Sequence, residues 1–157
     1  MERNYKTQMQ AARMGIITPE MEIVAKKEMM DPEELRGYID EGKAIIPANI
    51  KHKVIDPEGL GSMLKTKVNV NLGISRDATD YDKEIEKVNK TIDLGAHAIM
   101  DLSSHGNTQP FRQKLVEESK VMLGTVPVYD AVIHYQRDLK DISGRDFIDV
   151  IRLHAED

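Results

Sequence analysis

One spacing constrains this chain more than any other feature. Three short strand-like runs, Val68-Asn69-Val70-Asn71-Leu72, His97-Ala98-Ile99-Met100-Asp101-Leu102 and Val121-Met122-Leu123-Gly124-Thr125-Val126, recur at a regular interval. Asn71, Met100 and Tyr129 stand at or just past their carboxyl ends, each 29 residues after the last. Amphipathic stretches separate the runs. Residues 81–94 put Ile85, Val88 and Ile92 on one stripe and stop at Gly95. Thr108 opens a second helix over 110–118, bearing Phe111 and Leu115. Two more helices are predicted around 131–139 and, after the cap candidate Ser143, around 146–155. Strand and helix alternating at this interval mean parallel β-α units, so the fold class is α/β. A period near 30 suits a (β/α)8 barrel and also an open doubly wound sheet. No G-x-G-x-x-G follows the first strand, which weakens the dinucleotide-binding version of the open sheet.

The first 62 residues have a different texture, short helices and loops, and the division predicted is 1–62 and 63–157. Thr18-Pro19-Glu20 reads as a capped helix start. Asp31-Pro32-Glu33-Glu34 reads as another, with Glu34 placed for a capping box, in a helix ending near Gly42. Ala44-Ile45-Ile46 is a short apolar stretch, and Asp56-Pro57-Glu58-Gly59 marks a turn. No face in this region is apolar enough for a core of its own. Met21, Met29, Met30 and Met63 read as core or interface packing.

Composition removes several chemistries. The 157 residues contain no cysteine, which excludes a disulfide, a thiolate zinc site, an iron–sulfur cluster and a cysteine nucleophile within the chain. A net charge of -5 argues against a general nucleic-acid binder, and Lys51–Lys53 and Lys65–Lys67 read as solvated surface lysines. No run approaches a membrane span, and the polar start of the chain carries no export signal, so a cytoplasmic protein is expected. The five histidines lie far apart without a metal-binding spacing, and neither a P-loop nor a G-x-S-x-G elbow occurs.

The carboxyl ends of the strands form the functional face in either architecture. Asn71 has donor and acceptor for a heterocycle or sugar edge, or for capping a strand-to-helix turn. Met100 suits a pocket wall or plain core packing. Tyr129 can stack on a ring or bond a phosphate, or be buried with its hydroxyl satisfied. Ser103-Ser104-His105-Gly106-Asn107 can cradle an anion with backbone amides or simply connect two elements. Asn69, Asp101, Ser103, Ser104 and Asp130 are candidate pocket neighbours, and no catalytic residue is singled out.

Motifs in one order along the whole chain resemble the phosphomethylpyrimidine synthase (ThiC) family. They are Thr7-Gln8-Met9-Gln10-Ala11-Ala12-Arg13, Gly15-Ile16-Ile17-Thr18-Pro19-Glu20-Met21 and Ile46-Pro47-Ala48-Asn49-Ile50. Thr66-Lys67-Val68-Asn69-Val70-Asn71-Leu72-Gly73, Met100-Asp101-Leu102-Ser103 and Gly124-Thr125-Val126-Pro127-Val128-Tyr129 continue the series. The resemblance covers the amino-terminal part of a typical member. It implies a helical region followed by about the first three β-α units of a (β/α)8 (TIM-type) barrel. It also implies a cytoplasmic homodimer of thiamine biosynthesis that rearranges aminoimidazole ribotide to hydroxymethylpyrimidine phosphate. The family's chemistry uses S-adenosylmethionine and a [4Fe–4S] cluster, whose cysteines, like a divalent metal site, are expected beyond Asp157. The family's ribotide contacts fall on Asn71, Met100 and Tyr129, and no metal ligand falls within this chain.

Three positions depart from the pyrimidine synthases. Lys51-His52-Lys53 stands where they have Asn-His-Lys, Ser103-Ser104-His105-Gly106 where they have Ser-Thr-Gly, and Asp130 where they have glutamine. The run Tyr129-Asp130-Ala131 is similar to the sister 5-hydroxybenzimidazole synthases, which make a cobamide lower base from the same ribotide. A non-catalytic split or truncated product that binds a partner piece or the ribotide is the remaining alternative. Without cluster cysteines, the 157-residue chain alone is expected to be inactive.

Overall fold

The structure, a computed structural model, describes residues 3–157; residues 1–2, at the start of the expected helical region, lie outside them. The chain forms two compact units.

The first unit comprises the described residues of Met1–Asn49 together with Asp56–Lys67. Its elements are α1 (Gln8–Arg13), α2 (Pro19–Glu28), α3 (Pro32–Asp40) and an antiparallel pair, β1 (Ala44–Ile45) and β2 (Leu60–Gly61). Side-chain oxygens start all three helices. Thr7 accepts from the Gln10 amide, Thr18 from Met21 and Asp31 from Glu33. The expected capping box at Asp31 does not form, because the Glu34 carboxylate takes the Tyr38 hydroxyl one turn on, at 2.7 Å. Residues 56–59 run on without a turn into β2, which two residues are too short to announce in sequence. A side chain at Gly61 would strike the Lys43 carbonyl oxygen at 2.5 Å, so only glycine closes this pairing.

This unit has a core of its own, contrary to expectation. Ala11, Ala12, Met21, Val24, Ala25, Leu35, Ile39, Ala44 and Ile46 are buried together. Each helix contributes only a narrow stripe, but three stripes and β1 pooled are enough. Met29 and Met63 are exposed rather than packed, Met29 as the left-handed residue that ends α2. Lys67 is no solvated lysine: its ammonium is buried against Glu28, which also accepts the Lys65 amide at 2.8 Å.

The second unit, Ile50–Ile55 and Val68–Asp157, is mixed α/β with a small parallel sheet. In order come β3 (Asn69–Leu72), α4 (Tyr81–Asp93), β4 (Ala98–Asp101), α5 (Thr108–Glu118) and β5 (Met122–Thr125). Then follow α6 (Pro127–Tyr135), a 3-10 turn (Leu139–Asp141) and α7 (Gly144–Glu156). The sheet order is β3-β4-β5, the right outcome for successive β-α units. One face of the sheet is apolar: Leu72, Ile99 and Val121 pack with Val88 of α4 and Phe111 and Leu115 of α5. Ser143 caps α7 with a full capping box to Asp146.

The register pairs Asn71 with Met100, as the 29-residue spacing requires, but pairs Met100 with Gly124. Tyr129 lies five residues further on, inside α6. That helix begins at Pro127, not near residue 131, because a proline that ends a strand is also well shaped for the first helical position. No helix among the described residues is long and apolar enough to cross a membrane.

Candidate functional site

Strand alternation sorts the candidates. Leu72 and Ile99 face α4 and α5, so Asn69, Asn71, Met100 and Gly124 share the opposite face of the sheet. Asn69 Nδ2 donates to Asn71 Oδ1 at 2.9 Å, which orients the Asn71 amide. Both asparagines are exposed, Met100 is half-buried, and the Met100 side chain lies against Gly124. The structure therefore gathers three of the sequence candidates on the sheet face away from α4 and α5.

At the ends of β3 and β4 a second group does structural work. Ser103 Oγ donates to Asp101 Oδ1 at 2.5 Å and accepts the Ile74 amide at 3.0 Å, while the Ser103 amide donates to the same carboxylate at 2.9 Å. The Leu102 and Ser104 amides reach the Leu72 and Ile74 carbonyls at 2.7 and 2.8 Å. The two connections run so close that a side chain at Gly73, whose φ is +142°, would meet the Ser103 amide nitrogen at 2.5 Å. Burial pushes the Asp101 carboxyl up from its ordinary value; the Ser103 hydrogen bonds pull it back in part, and the neighbouring Asp130 charge pushes the same way as burial. Ser104 and His105 are exposed.

Tyr129 and Asp130 occupy the first turn of α6 with opposite fates. Tyr129 is 43% exposed. Asp130 is buried and fully engaged: Thr108 Oγ1 donates to Oδ1 at 2.6 Å, and Arg112 Nη1 donates to Oδ2 at 2.6 Å. His154 Nε2 lies 2.7 Å from the same Oδ2, and its Nδ1 lies 2.9 Å from Thr125 Oγ1 at the end of β5. Arg112 also bonds Asp157 through Nε and Nη2. One carboxylate thus ties α5, α6 and α7 together beside a cavity of about 260 Å³ lined by Thr108, Arg112, His134 and His154. Burial works against ionisation of Asp130, but the bonds from His154, Thr108 and Arg112, with the Arg112 charge, hold its carboxyl below the ordinary range. Asp130 is a fixed internal anion, and its partners Arg112 and His154 escaped the sequence reading. They stand 18 and 24 residues from it, a separation no local pattern marks.

Two other unusual positions make contacts within the unit, His52 from a buried site and Lys51 from an exposed one. His52 is buried with Nε2 2.5 Å from the Ser119 carbonyl oxygen, and the Lys51 ammonium bonds the Glu156 carbonyl. Among the described residues no group of three histidine or acidic side chains is placed to hold a metal ion.

The family model described as the radical SAM ThiC family matches residues 7–157. The phosphomethylpyrimidine synthase of Alkaliphilus oremlandii is 62% identical over 153 residues, covering 98% of this chain and 35% of that protein. The Clostridioides difficile protein of the same name is 57% identical over 154 residues, 98% of this chain and 36% of its own length. That of Clostridium botulinum strain 657 is 56% identical over 153 residues, again 98% and 35%. The chain spans about a third of the length of these curated relatives.

Proposed function

The chain belongs to the radical SAM ThiC family, and from that membership we propose that it supplies part of the substrate site of a phosphomethylpyrimidine synthase in thiamine biosynthesis. The reaction is the radical S-adenosylmethionine rearrangement of aminoimidazole ribotide to hydroxymethylpyrimidine phosphate. β3, β4 and β5 would be the first three strands of a (β/α)8 barrel, following a helical region over 1–62. On this reading Asn71 makes polar contacts to the ribotide, Met100 forms the wall beside it, and Tyr129 reaches its hydroxyl or phosphate region. The observation that supports it best is the Asn71–Met100 register on the sheet face away from α4 and α5, in a chain 62% identical to a protein of that name. The family's habit adds a homodimer, and the residues themselves suggest a cytoplasmic setting.

A [4Fe–4S] cluster does not fit the residues present. Its thiolate donors are missing from all 157 residues. The chain's own contribution is binding: the Asn69–Asn71 bond pre-orients one amide, which lowers the cost of holding a polar ring edge.

The benzimidazole reading, which rests on the Tyr129-Asp130-Ala131 run, stands as the alternative; the Asp130 carboxylate itself bonds Arg112, Thr108 and His154. The names of the similar proteins favour the pyrimidine product. Anaerobic incubation of the intact protein with ribotide, reductant and S-adenosylmethionine, read by mass spectrometry, tests the proposal. The pyrimidine phosphate is expected; the benzimidazole would redirect it to the sister branch. Ribotide binding without either product would leave the non-catalytic alternative.

A further inference from the structure

Gly124 opens the last of the family-like motifs without a role of its own there, and it sits opposite Met100 in the register. The Met100 side chain occupies the space a side chain at Gly124 would need. A Cβ built there would lie 2.6 Å from Met100 Cε and 2.8 Å from its Sδ. Both distances are shorter than any carbon tolerates, whereas the next neighbour, the Ile99 carbonyl oxygen, is an ordinary 3.8 Å away. Gly124 carries no left-handed backbone angle, so conformational need does not explain the glycine. Space does.

We propose that Gly124 is a positioning residue that sets the shape of the substrate-facing wall, by leaving a vacant strand position across which the Met100 thioether lies. The inference rests on the reading of Asn71 and Met100 as ribotide contacts. Methionine is unbranched and rotates at three bonds, so its resting place is decided by its surroundings. With glycine on β5, the end of the thioether fills the place a side chain at 124 would take. A side chain at position 124 turns Met100 away from β5 and so changes the surface that Met100 presents beside Asn71. The colliding atoms are the far end of a flexible chain, so the fold tolerates the change while the binding surface does not.

A double-mutant cycle tests this in the intact protein, with aminoimidazole ribotide titrated calorimetrically. Gly124→Ala should weaken ribotide binding by about tenfold, the scale of a methylene misplaced in a pocket, with a melting midpoint close to wild type. In a Met100→Ala background the same substitution should change affinity less than about twofold, because the side chain it displaces is gone. With methyl-13C methionine, the Met100 resonance, identified by its loss in Met100→Ala, should shift in Gly124→Ala. An equal loss of affinity in both backgrounds, or an unmoved Met100 methyl, overturns the role of Gly124 even if Asn71→Ala still weakens binding. If neither Asn71→Ala nor Met100→Ala weakens binding, the substrate-site reading fails, and the inference fails with it.

Discussion

Among the described residues of the unit built on α1–α3, the buried ones are almost all apolar, and the two polar exceptions serve the backbone. Thr18 caps α2, and Glu28 accepts the Lys65 amide while pairing with Lys67. The unit built on the parallel sheet buries eight polar or charged side chains among its described residues: His52, Glu84, Asp101, Ser103, Thr108, Arg112, Ser119 and Asp130. Most of these gather where strands end and helices begin. Burying charge is costly unless it is paired, and the second unit pairs Arg112 with Asp130 and Asp157 where the first pairs Glu28 with Lys67. The difference locates constraint: polar burial is concentrated at the strand ends that flank the candidate surface, and an apolar core suffices elsewhere.

The sharpest way to break that contrast is to truncate one buried side chain of each kind and compare. Asp130→Ala leaves Arg112, 5% exposed, with only Asp157 as a buried partner, and strips His154 of its carboxylate. A loss of about 3–5 kcal/mol is expected, the usual result of orphaning a buried charge, read as a shift in the denaturant midpoint. A loss below about 1 kcal/mol would mean that the cluster is decoration rather than a joint between three helices. In the apolar unit the comparable experiment is Leu35→Ala, since Leu35 is fully buried. Its cost is expected at about 2–4 kcal/mol from lost transfer energy and the cavity left behind. Hydrogen exchange of the α1–α3 amides reports that loss locally; unchanged protection there would show that Leu35 packs far less tightly than its burial implies.

Much of this architecture can be read in the residues, for reasons that are local. Thr18 and Ser143 cap helices because a hydroxyl before a helical run has few other uses there, and the Asn71–Met100 register follows from two strands with one period. Where a residue serves two purposes, reading fails. Pro127 looks like the end of β5 and is equally the start of α6, which moved Tyr129 and Asp130 from a loop into a helix. Glu34 has the spacing of a capping box, but Tyr38 offers its carboxylate a competing donor. The joint of Arg112, Asp130 and His154 was out of reach because tertiary packing alone brings those three elements together. Gly124 is legible only once the register is known, since nothing about a glycine in a strand says which side chain fills its place.

The two buried aspartates of the sheet unit give the finest test of the contrast, because they are shifted in opposite directions. Asp130 is held below its ordinary value, so its stabilisation is present above the unfolded carboxyl range, near pH 4, and is lost as pH falls through the lower folded value. Asp101 is pushed up by burial, so the folded protein keeps its proton where the unfolded chain has released it. Across that window, upward from about pH 4, stability falls as pH rises. Asp101→Asn retains an oxygen to accept from the Ser103 amide and hydroxyl while removing the charge. The variant should therefore lie within about 1 kcal/mol of wild type, gaining on it as pH is raised from 4 to 7 in denaturant midpoints. A gap that stays constant across that range would show that Asp101 bears no penalty for its charge. The polar burial at the strand ends would then be a packing arrangement like that of the helical unit, not a strained one.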